Sequence, residues 1–138
     1  MKRTFVDSGV LIAAARGSDS IARQAMQVLD DPEREFASSA FVELEVLPKA
    51  EYHKRRAEVQ FYEEFFREVK YRADVQQALL AQAREQARSH GLDCIDALHV
   101  AAALSVHAEE LVTTEKPEKP IHRVTGLRIV SIRGPDPA

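Results

Sequence analysis

The chain has 138 residues, a formal net charge of −3, and hydrophobic side chains at 45% of its positions. These values are ordinary for one water-soluble globular domain, and they exclude a protein that holds nucleic acid through a strong overall positive charge. Any contact with nucleic acid must therefore come from local groups of basic residues.

The N-terminus and the cysteine count indicate the compartment. The apolar run after Thr4 is broken by Asp7, which makes it too short for a signal peptide, and no apolar stretch approaches the ~18 residues of a membrane-spanning helix. The single cysteine, Cys94, cannot form an internal disulfide, and we expect it to be a small buried helix residue. We therefore expect a cytoplasmic protein without membrane contact.

Short strands alternate with helices along the first half of the chain. Asp19 or Ser20 can cap a helix that runs to about Leu29. Pro48 is predicted to kink or restart the helical stretch that follows Ser39. In chain order, the predicted elements are a strand at 4–7, a turn at Ser8-Gly9 before the segment 10–15, a helix at 20–29, a strand at 35–38 and the helical stretch at 40–67.

The second half continues this alternation. Asp74 is predicted to cap a helix to Arg88, and Gly91 fits the left-handed position at the end of that helix. Asp93 precedes an apolar helix that carries Asp96 and runs to about His107. Further strands are predicted at 69–71, 111–114 and 127–132, and a disordered tail at 134–138. This order predicts a single domain at 1–133, folded as a three-layer α/β/α sandwich with a central parallel sheet.

Four acidic residues stand where apolar segments end or are interrupted: Asp7, Glu45, Asp96 and Glu115. Ligands of parallel sheets gather at the carboxyl ends of the strands, and three of these acids come just after a predicted strand or in the helix that follows one. Asp96 lies in the first turn of its helix, where the macrodipole favours an anion. Carboxylates beside a core need a positive partner, and a shared divalent cation would serve.

Each acid also has a simpler interpretation. Asp7 can cap the predicted turn, Asp96 can form a reciprocal cap with Asp93, and Glu115 can be a solvated surface residue. Glu43 is the alternative to Glu45, because residues two positions apart on a helix face opposite sides and only one can reach the site.

Other side chains are predicted to support these acids. Ser8 and Thr113 are hydroxyls placed to orient carboxylates or to contact phosphate, or else ordinary turn and strand-end residues. His99 shares the helical face of Asp96; a hydrogen-bonded packing role is favoured over general-base catalysis. Basic residues near the second and fourth acids, including Lys49, Arg55 and Lys116, can track a phosphate backbone or form a solvated face.

Aromatic residues at helical spacing occupy one stretch of the chain. They are expected to serve the core, a dimer contact or a groove for a partner protein in preference to base stacking. The residues are Phe61, Tyr62, Phe65 and Phe66.

Four segments together resemble the PIN-domain family. FVDSGVLI at 5–12 looks like the opening strand of that family, and SAFVELE at 39–45 resembles its second acidic segment. DALHVAAAL at 96–104 is close to its third, and LVTTE at 111–115 resembles its fourth, where Asp is more usual than Glu. The order and spacing match over nearly the whole chain, and the closest likeness is to toxins of the VapBC toxin–antitoxin type.

This resemblance implies an RNA endonuclease that depends on Mg²⁺ or Mn²⁺, is held inactive by a small antitoxin protein, and commonly forms a homodimer. It implies that the metal ligands and catalytic residues are Asp7, Glu45, Asp96 and Glu115. A non-catalytic PIN-like module that binds RNA or protein is the alternative, and Glu115, one methylene longer than Asp, favours it. A haloacid-dehalogenase-type phosphatase is disfavoured, because Gly9 stands where that family needs a second Asp.

Overall fold

The computed structural model describes residues 1–133; the predicted tail at 134–138 lies outside this range. The strands are β1 (Lys2–Val6), β2 (Arg34–Ser38), β3 (Tyr71–Arg72), β4 (Glu110–Thr113) and β5 (Arg128–Ser131). The α-helices are α1 (Ser8–Arg16), α2 (Ser20–Leu29), α3 (Ala40–Tyr52), α4 (Arg56–Glu68), α5 (Gln77–His90) and α6 (Cys94–Ser105), with a short 3₁₀ helix at Pro120–Arg123. No helix among the described residues is long and apolar enough to cross a membrane.

The five strands form one parallel sheet in the order β3-β2-β1-β4-β5, which confirms the predicted fold class. Right-handed crossovers from β1 to β2 and from β2 to β3 place α1–α4 on one face, and the return from β3 to β4 places α5 and α6 on the other. Strand β1 lies at the centre, so its residues Phe5 and Val6 are completely buried. All strands therefore present their carboxyl ends at one edge of the sheet.

The opposite edge of the sheet, where the strands begin, is held by a buried acid. Glu110 is 2% exposed and accepts hydrogen bonds from Thr4 Oγ1 (2.9 Å) and Arg34 Nε (2.8 Å). Because Thr4, Arg34 and Glu110 come from β1, β2 and β4, this contact fixes the three central strands together. It is a structural ion pair and lies far from the predicted acidic site.

The prediction of a turn at Ser8-Gly9 is wrong. Helix α1 begins at Ser8 directly after β1, because Asp7 is its N-cap and accepts a hydrogen bond from the Val10 N–H at 3.1 Å. A helix replaces the turn because the cap satisfies an N–H group that the first turn would otherwise leave without a partner.

The predicted restart of the helix at Pro48 is also wrong. Helix α3 runs through Pro48 to Tyr52, because Pro48 and Leu44 are exposed and water can reach the carbonyl that the proline leaves unbonded. The chain turns instead at Lys54, which has a left-handed φ of 56°. The Lys54 N–H bonds to the Glu51 carbonyl and the Arg55 N–H to the Ala50 carbonyl, both at 3.0 Å, which is the pattern of a Schellman motif.

Two further expectations are corrected by local contacts. Asp74 does not cap α5, which begins later, at Gln77; its carboxylate instead accepts a hydrogen bond from the Gln76 side chain. Cys94 is exposed and not buried, because it is the first residue of α6 and lies beside the exposed cap residue Asp93. The predicted left-handed Gly91 is confirmed, with φ of 70°.

The aromatic stripe of α4 divides between core and periphery. Tyr62 is fully buried and Phe65 is 8% exposed, with its ring 5.7 Å from that of Phe36. Phe61 and Phe66 pack against the core while remaining partly exposed. The stripe therefore serves mainly to attach α4 to the sheet.

Candidate active site

Asp7 is buried at the carboxyl end of the central strand. Its side chain accepts hydrogen bonds from Thr113 Oγ1 at 2.5 Å and from the Val10 N–H at 3.1 Å. Burial raises the pKa of Asp7 to about 6, and the nearby Glu115 carboxylate adds to this, although the two hydrogen bonds and His99 oppose it. The fold therefore holds Asp7 where the charged form of its carboxyl group is disfavoured.

Thr113 links Asp7 to the loop that carries Glu115. Its hydroxyl donates to Asp7 and accepts the Glu115 N–H at 3.0 Å. On the other side, His122 Nε2 lies 3.1 Å from the Glu115 carbonyl oxygen, to which it can only donate. The backbone at Glu115 is therefore fixed from two directions, while its half-buried side chain forms no hydrogen bond or ion pair within residues 1–133.

Glu45 is held by Ser8 and His99. Its Oε1 accepts a hydrogen bond from Ser8 Oγ at 2.7 Å and lies 2.5 Å from His99 Nε2. Burial alone would raise the pKa of Glu45, but the hydrogen bonds from His99 and Ser8 outweigh it and the pKa is lowered. The donors Ser8 and His99 therefore favour the ionised form of Glu45.

His99 is 2% exposed, and its contacts define its proton. A carboxylate oxygen can only accept, so the hydrogen of the Glu45 contact belongs to Nε2. The other ring nitrogen, Nδ1, is buried and has no hydrogen-bond partner among the described residues. The ring is therefore held through Nε2 alone, by its hydrogen bond to Glu45.

Asp96 lies in the first turn of α6. Its backbone N–H is capped by the Asp93 side chain at 2.9 Å, but its own carboxylate forms no hydrogen bond or ion pair in the described part of the chain. Burial raises the pKa of Asp96 to about 6, and repulsion from Asp93, Glu115 and Asp7 raises it further against a small opposing effect of His99. Asp96, Glu115 and Asp7 thus share one negative field.

Glu43 points elsewhere. It forms an ion pair with Arg72 at the end of β3 and is not among the partners of Ser8 or His99. Of the predicted basic residues, Lys49 is exposed on α3, Arg55 lies 3.9 Å from Glu58, and Lys116 is half-buried immediately after Glu115.

A divalent cation fits the chemistry of these residues. Carboxylate oxygens are the ligands that Mg²⁺ and Mn²⁺ prefer, and burial together with neighbouring carboxylates raises the pKa values of Asp7 and Asp96, an environment that a bound cation would relieve. Within residues 1–133, however, no three acidic, histidine or cysteine side chains are grouped tightly enough to hold a metal ion.

One residue beside Asp7 was not predicted as part of the site. Ser39, expected to be a helix cap, makes no capping hydrogen bond; its hydroxyl is fully buried without a partner among residues 1–133. Continuing the register from Phe5 opposite Ala37 places Ser39 across from Asp7. A serine directly after a predicted strand could have suggested this position. His122, one of the basic residues that follow the fourth acid in sequence, contacts the backbone of Glu115.

Comparison with known proteins agrees with this architecture. The family model described as PIN domain matches residues 4–117, whereas no curated protein matches the chain. Three solved structures are similar in fold along nearly the whole of both chains. A chain of a Klebsiella pneumoniae toxin–antitoxin complex is 21% identical, covers 95% of this chain and 98% of its own, and gives a TM-score of 0.74.

The other two are VapBC complexes bound to DNA. A chain of VapBC from Salmonella typhimurium is 18% identical, with coverage of 96% of this chain and 100% of its own and a TM-score of 0.68. A chain of VapBC2 from Rickettsia felis, bound to a promoter fragment, is 16% identical, with 97% and 99% coverage and a TM-score of 0.68. Because the family match extends from β1 through the loop after β4, the chain belongs to the PIN-domain family.

Proposed function

We propose that the protein is a divalent-metal-dependent endoribonuclease and the toxin of a toxin–antitoxin pair. The observation that carries the proposal is the pair Asp7 and Asp96, whose pKa values are both raised to about 6 by burial at one edge of the sheet. Burying the charged form of such acids costs the fold free energy, so their placement argues for a bound positive ligand.

In this proposal the acids divide the work. Asp7 and Asp96 hold the cation, and Glu45 and Glu115 complete its surroundings directly or through water. When bound, the cation supplies positive charge to the acids and to the scissile phosphate. Ser8 and His99 keep the Glu45 carboxylate oriented, and Thr113 does the same for Asp7.

Substrate and partners follow from the same proposal. Lys49, Arg55 and Lys116 are the basic residues assigned to the RNA backbone. The similar structure from Klebsiella pneumoniae is a toxin–antitoxin complex, which supports a small antitoxin as partner of this chain. A homodimer is proposed as well.

A non-catalytic binding module remains the second candidate. It is favoured by the absence, within residues 1–133, of a tight group of three metal-binding side chains, and by the longer Glu115 at the fourth acidic position. In that case the same fold would hold RNA or a protein without cleaving it.

Cleavage of a mixed RNA panel with Mg²⁺, Mn²⁺ or a chelator decides between the candidates. We expect metal-dependent cleavage that falls at least ~100-fold in Asp7→Asn and Asp96→Asn, since each variant removes a charged metal ligand. Glu45→Gln should also lose activity, whereas the matched Glu43→Gln should retain it. Activity that survives both aspartate substitutions would refute the metal mechanism, and a folded protein that cleaves nothing would favour the binding module.

The antitoxin proposal has a separate test. Expression of the chain should arrest growth, and co-expression of a small reading frame adjacent to its gene should relieve the arrest. Growth arrest that no neighbouring product relieves would count against a toxin–antitoxin pair without touching the nuclease assignment.

A further inference from the structure

One face of α3 leads away from the carboxylates towards solvent. Glu45, Lys49 and Tyr52 follow each other at i, i+4 and i+7, which places them on the same side of a helix of 3.6 residues per turn. The core side of α3 is occupied by Val42, Val46 and Ala50. At 1.5 Å per residue, Tyr52 lies about 10 Å along the axis from Glu45.

Tyr52 makes no contribution to the core. Its side chain is 79% exposed, whereas Tyr62 on the next helix is completely buried. Among residues 1–133, the one ring that Tyr52 meets is that of His53, at 5.1 Å between centroids and 80° between planes. An aromatic side chain this exposed leaves a flat face open for a ligand.

Basic residues are concentrated around Tyr52. The cations Lys49, Lys54, Arg55 and Arg56 are all exposed, as is His53, and Glu51 is the exposed acid among them. Within residues 1–133, Lys49, Lys54 and Arg56 form no ion pair, while Arg55 is shared with Glu58. This concentration contrasts with the net charge of −3 of the whole chain. It is complementary to a polyanion.

The corner that carries these residues is closed by backbone hydrogen bonds. Lys54 adopts a left-handed conformation, and its N–H and that of Arg55 bond back to the end of α3. Tyr52 is the last residue of the helix and His53 its C-cap, so both stand on hydrogen-bonded backbone. A backbone that is already ordered loses less entropy when a base stacks on its side chains.

We infer that Lys49, Tyr52, His53 and Lys54 form a platform for single-stranded RNA, which we call the α3 platform. Lys49 contacts a phosphate, and Tyr52 stacks on an unpaired base one or two nucleotides from the bond that lies at the carboxylates. Base-paired RNA is excluded from this contact, because its bases are already stacked on both faces. The inference rests on the proposed nuclease function and specifies the form of RNA and where it lies.

The test is RNA binding by the full-length chain carrying Asp96→Asn, so that binding is measured without cleavage. A labelled single-stranded oligoribonucleotide is compared with an abasic oligomer of the same length and with a duplex. Tyr52→Leu should weaken binding to the normal strand about five-fold or more, Tyr52→Phe by less than about two-fold, and neither should change binding to the abasic oligomer. The duplex should bind more weakly than the single strand.

Lys49→Gln isolates the phosphate contact. It should weaken binding to the normal and abasic strands alike and reduce the slope of log affinity against log salt by about 0.7. Arg23→Gln is the matched control, because Arg23 is an exposed cation in the first turn of α2, beyond the far end of α1. It should leave affinity and slope unchanged.

The results separate the platform from the nuclease. Equal binding by Tyr52→Leu and the parent, or an equal loss on the abasic oligomer, would overturn the stacking role even if the wild-type protein cleaves RNA. Metal-dependent cleavage without measurable binding through these residues would overturn the platform alone. A chain that neither binds nor cleaves RNA would refute the proposed function together with the platform.

Discussion

Asp7 has two opposing effects on the stability of the fold. As the N-cap of α1 it stabilises the helix, but its burial raises its pKa to about 6 from an ordinary value of 3.8. The folded protein therefore binds this proton more tightly than the unfolded chain does. The raised pKa of Asp7 contributes up to about 3 kcal/mol to the free energy of unfolding. This contribution is fully present below about pH 4 and is lost as the pH rises through 6.

We predict that Asp7→Asn stabilises the metal-free protein at pH 8. The free energy of unfolding of this variant should also depend less on pH between pH 4 and 7. Asparagine still caps the helix and still meets Thr113, but it carries no charge to desolvate. Urea unfolding in chelator across this pH range measures the effect. Asp19→Asn, at the exposed cap of α2, is the control and should change little. A destabilised Asp7→Asn would show that the charge itself supports the fold.

His99 provides the second residue-scale prediction. His99→Phe keeps a buried ring but removes the donor to Glu45, so kcat should fall about ten-fold or more while KM for RNA changes little. His99→Gln keeps an N–H in reach of Glu45 and should recover part of kcat. Steady-state kinetics with an RNA that the wild type cleaves measures both. If the phenylalanine variant folds and retains full kcat, Glu45 needs no orienting donor.

The positions of the individual acids were predictable from the sequence, but their contacts in the folded chain were not. Asp7 and Asp96 stand at ends of apolar segments, a pattern that is visible in the sequence. Glu45 differs from Glu43 only through Ser8 and His99, which are distant in sequence and approach α3 only in the folded chain. Long-range contacts of this kind leave no local pattern.

Helix ends show how the chain reverses direction. Helices α3 and α6 both end in Schellman motifs whose left-handed position is held by a residue with a side chain, Lys54 (φ 56°) and His107 (φ 57°). Helix α5 has Gly91 at its left-handed end. A residue with a Cβ is strained in this conformation by roughly 1–2 kcal/mol. Glycine avoids the strain, but it loses more conformational entropy on folding, which offsets part of that advantage.

We predict that His107→Gly raises the free energy of unfolding by about 1 kcal/mol. The exposed His107 side chain contributes no hydrogen bond in the described structure, so only the backbone strain is removed. Gly91→Ala is the opposite change and should lower stability by a similar amount. Denaturant midpoints at constant slope measure both, and a destabilised His107→Gly would contradict the assigned strain.

Element boundaries were predictable where the deciding contact is local. Asp19 and Gly91 act within their own helices, and both were identified. The prediction at Pro48 failed because the effect of this proline depends on whether water reaches the carbonyl of Leu44. That exposure is decided only in the folded protein. Asp74 misled because the chain stays extended beyond β3, with Ala73 bonded to Ser38 of the neighbouring strand.

The whole molecule carries unneutralised charge at one edge of its sheet, and a cation should relieve it. We predict that saturating Mn²⁺ or Mg²⁺ raises the melting temperature of the wild type by roughly 5–10 °C at a hundred times the dissociation constant. The gain should vanish in Asp96→Asn and persist in Glu43→Gln. Differential scanning calorimetry at fixed ionic strength measures it, and an equal gain in Asp96→Asn would indicate non-specific ion binding.

The position of β1 also governs when the site can exist. Thr4 meets Glu110 at one end of the β1–β4 pair and Asp7 meets Thr113 at the other, and each contact joins residues 106 positions apart. During synthesis β1 leaves the ribosome well before its partner β4, because the paired residues are 106 positions apart. Asp7 therefore lacks Thr113 until β4 has been made, so any activity of the site begins only after β4 has emerged.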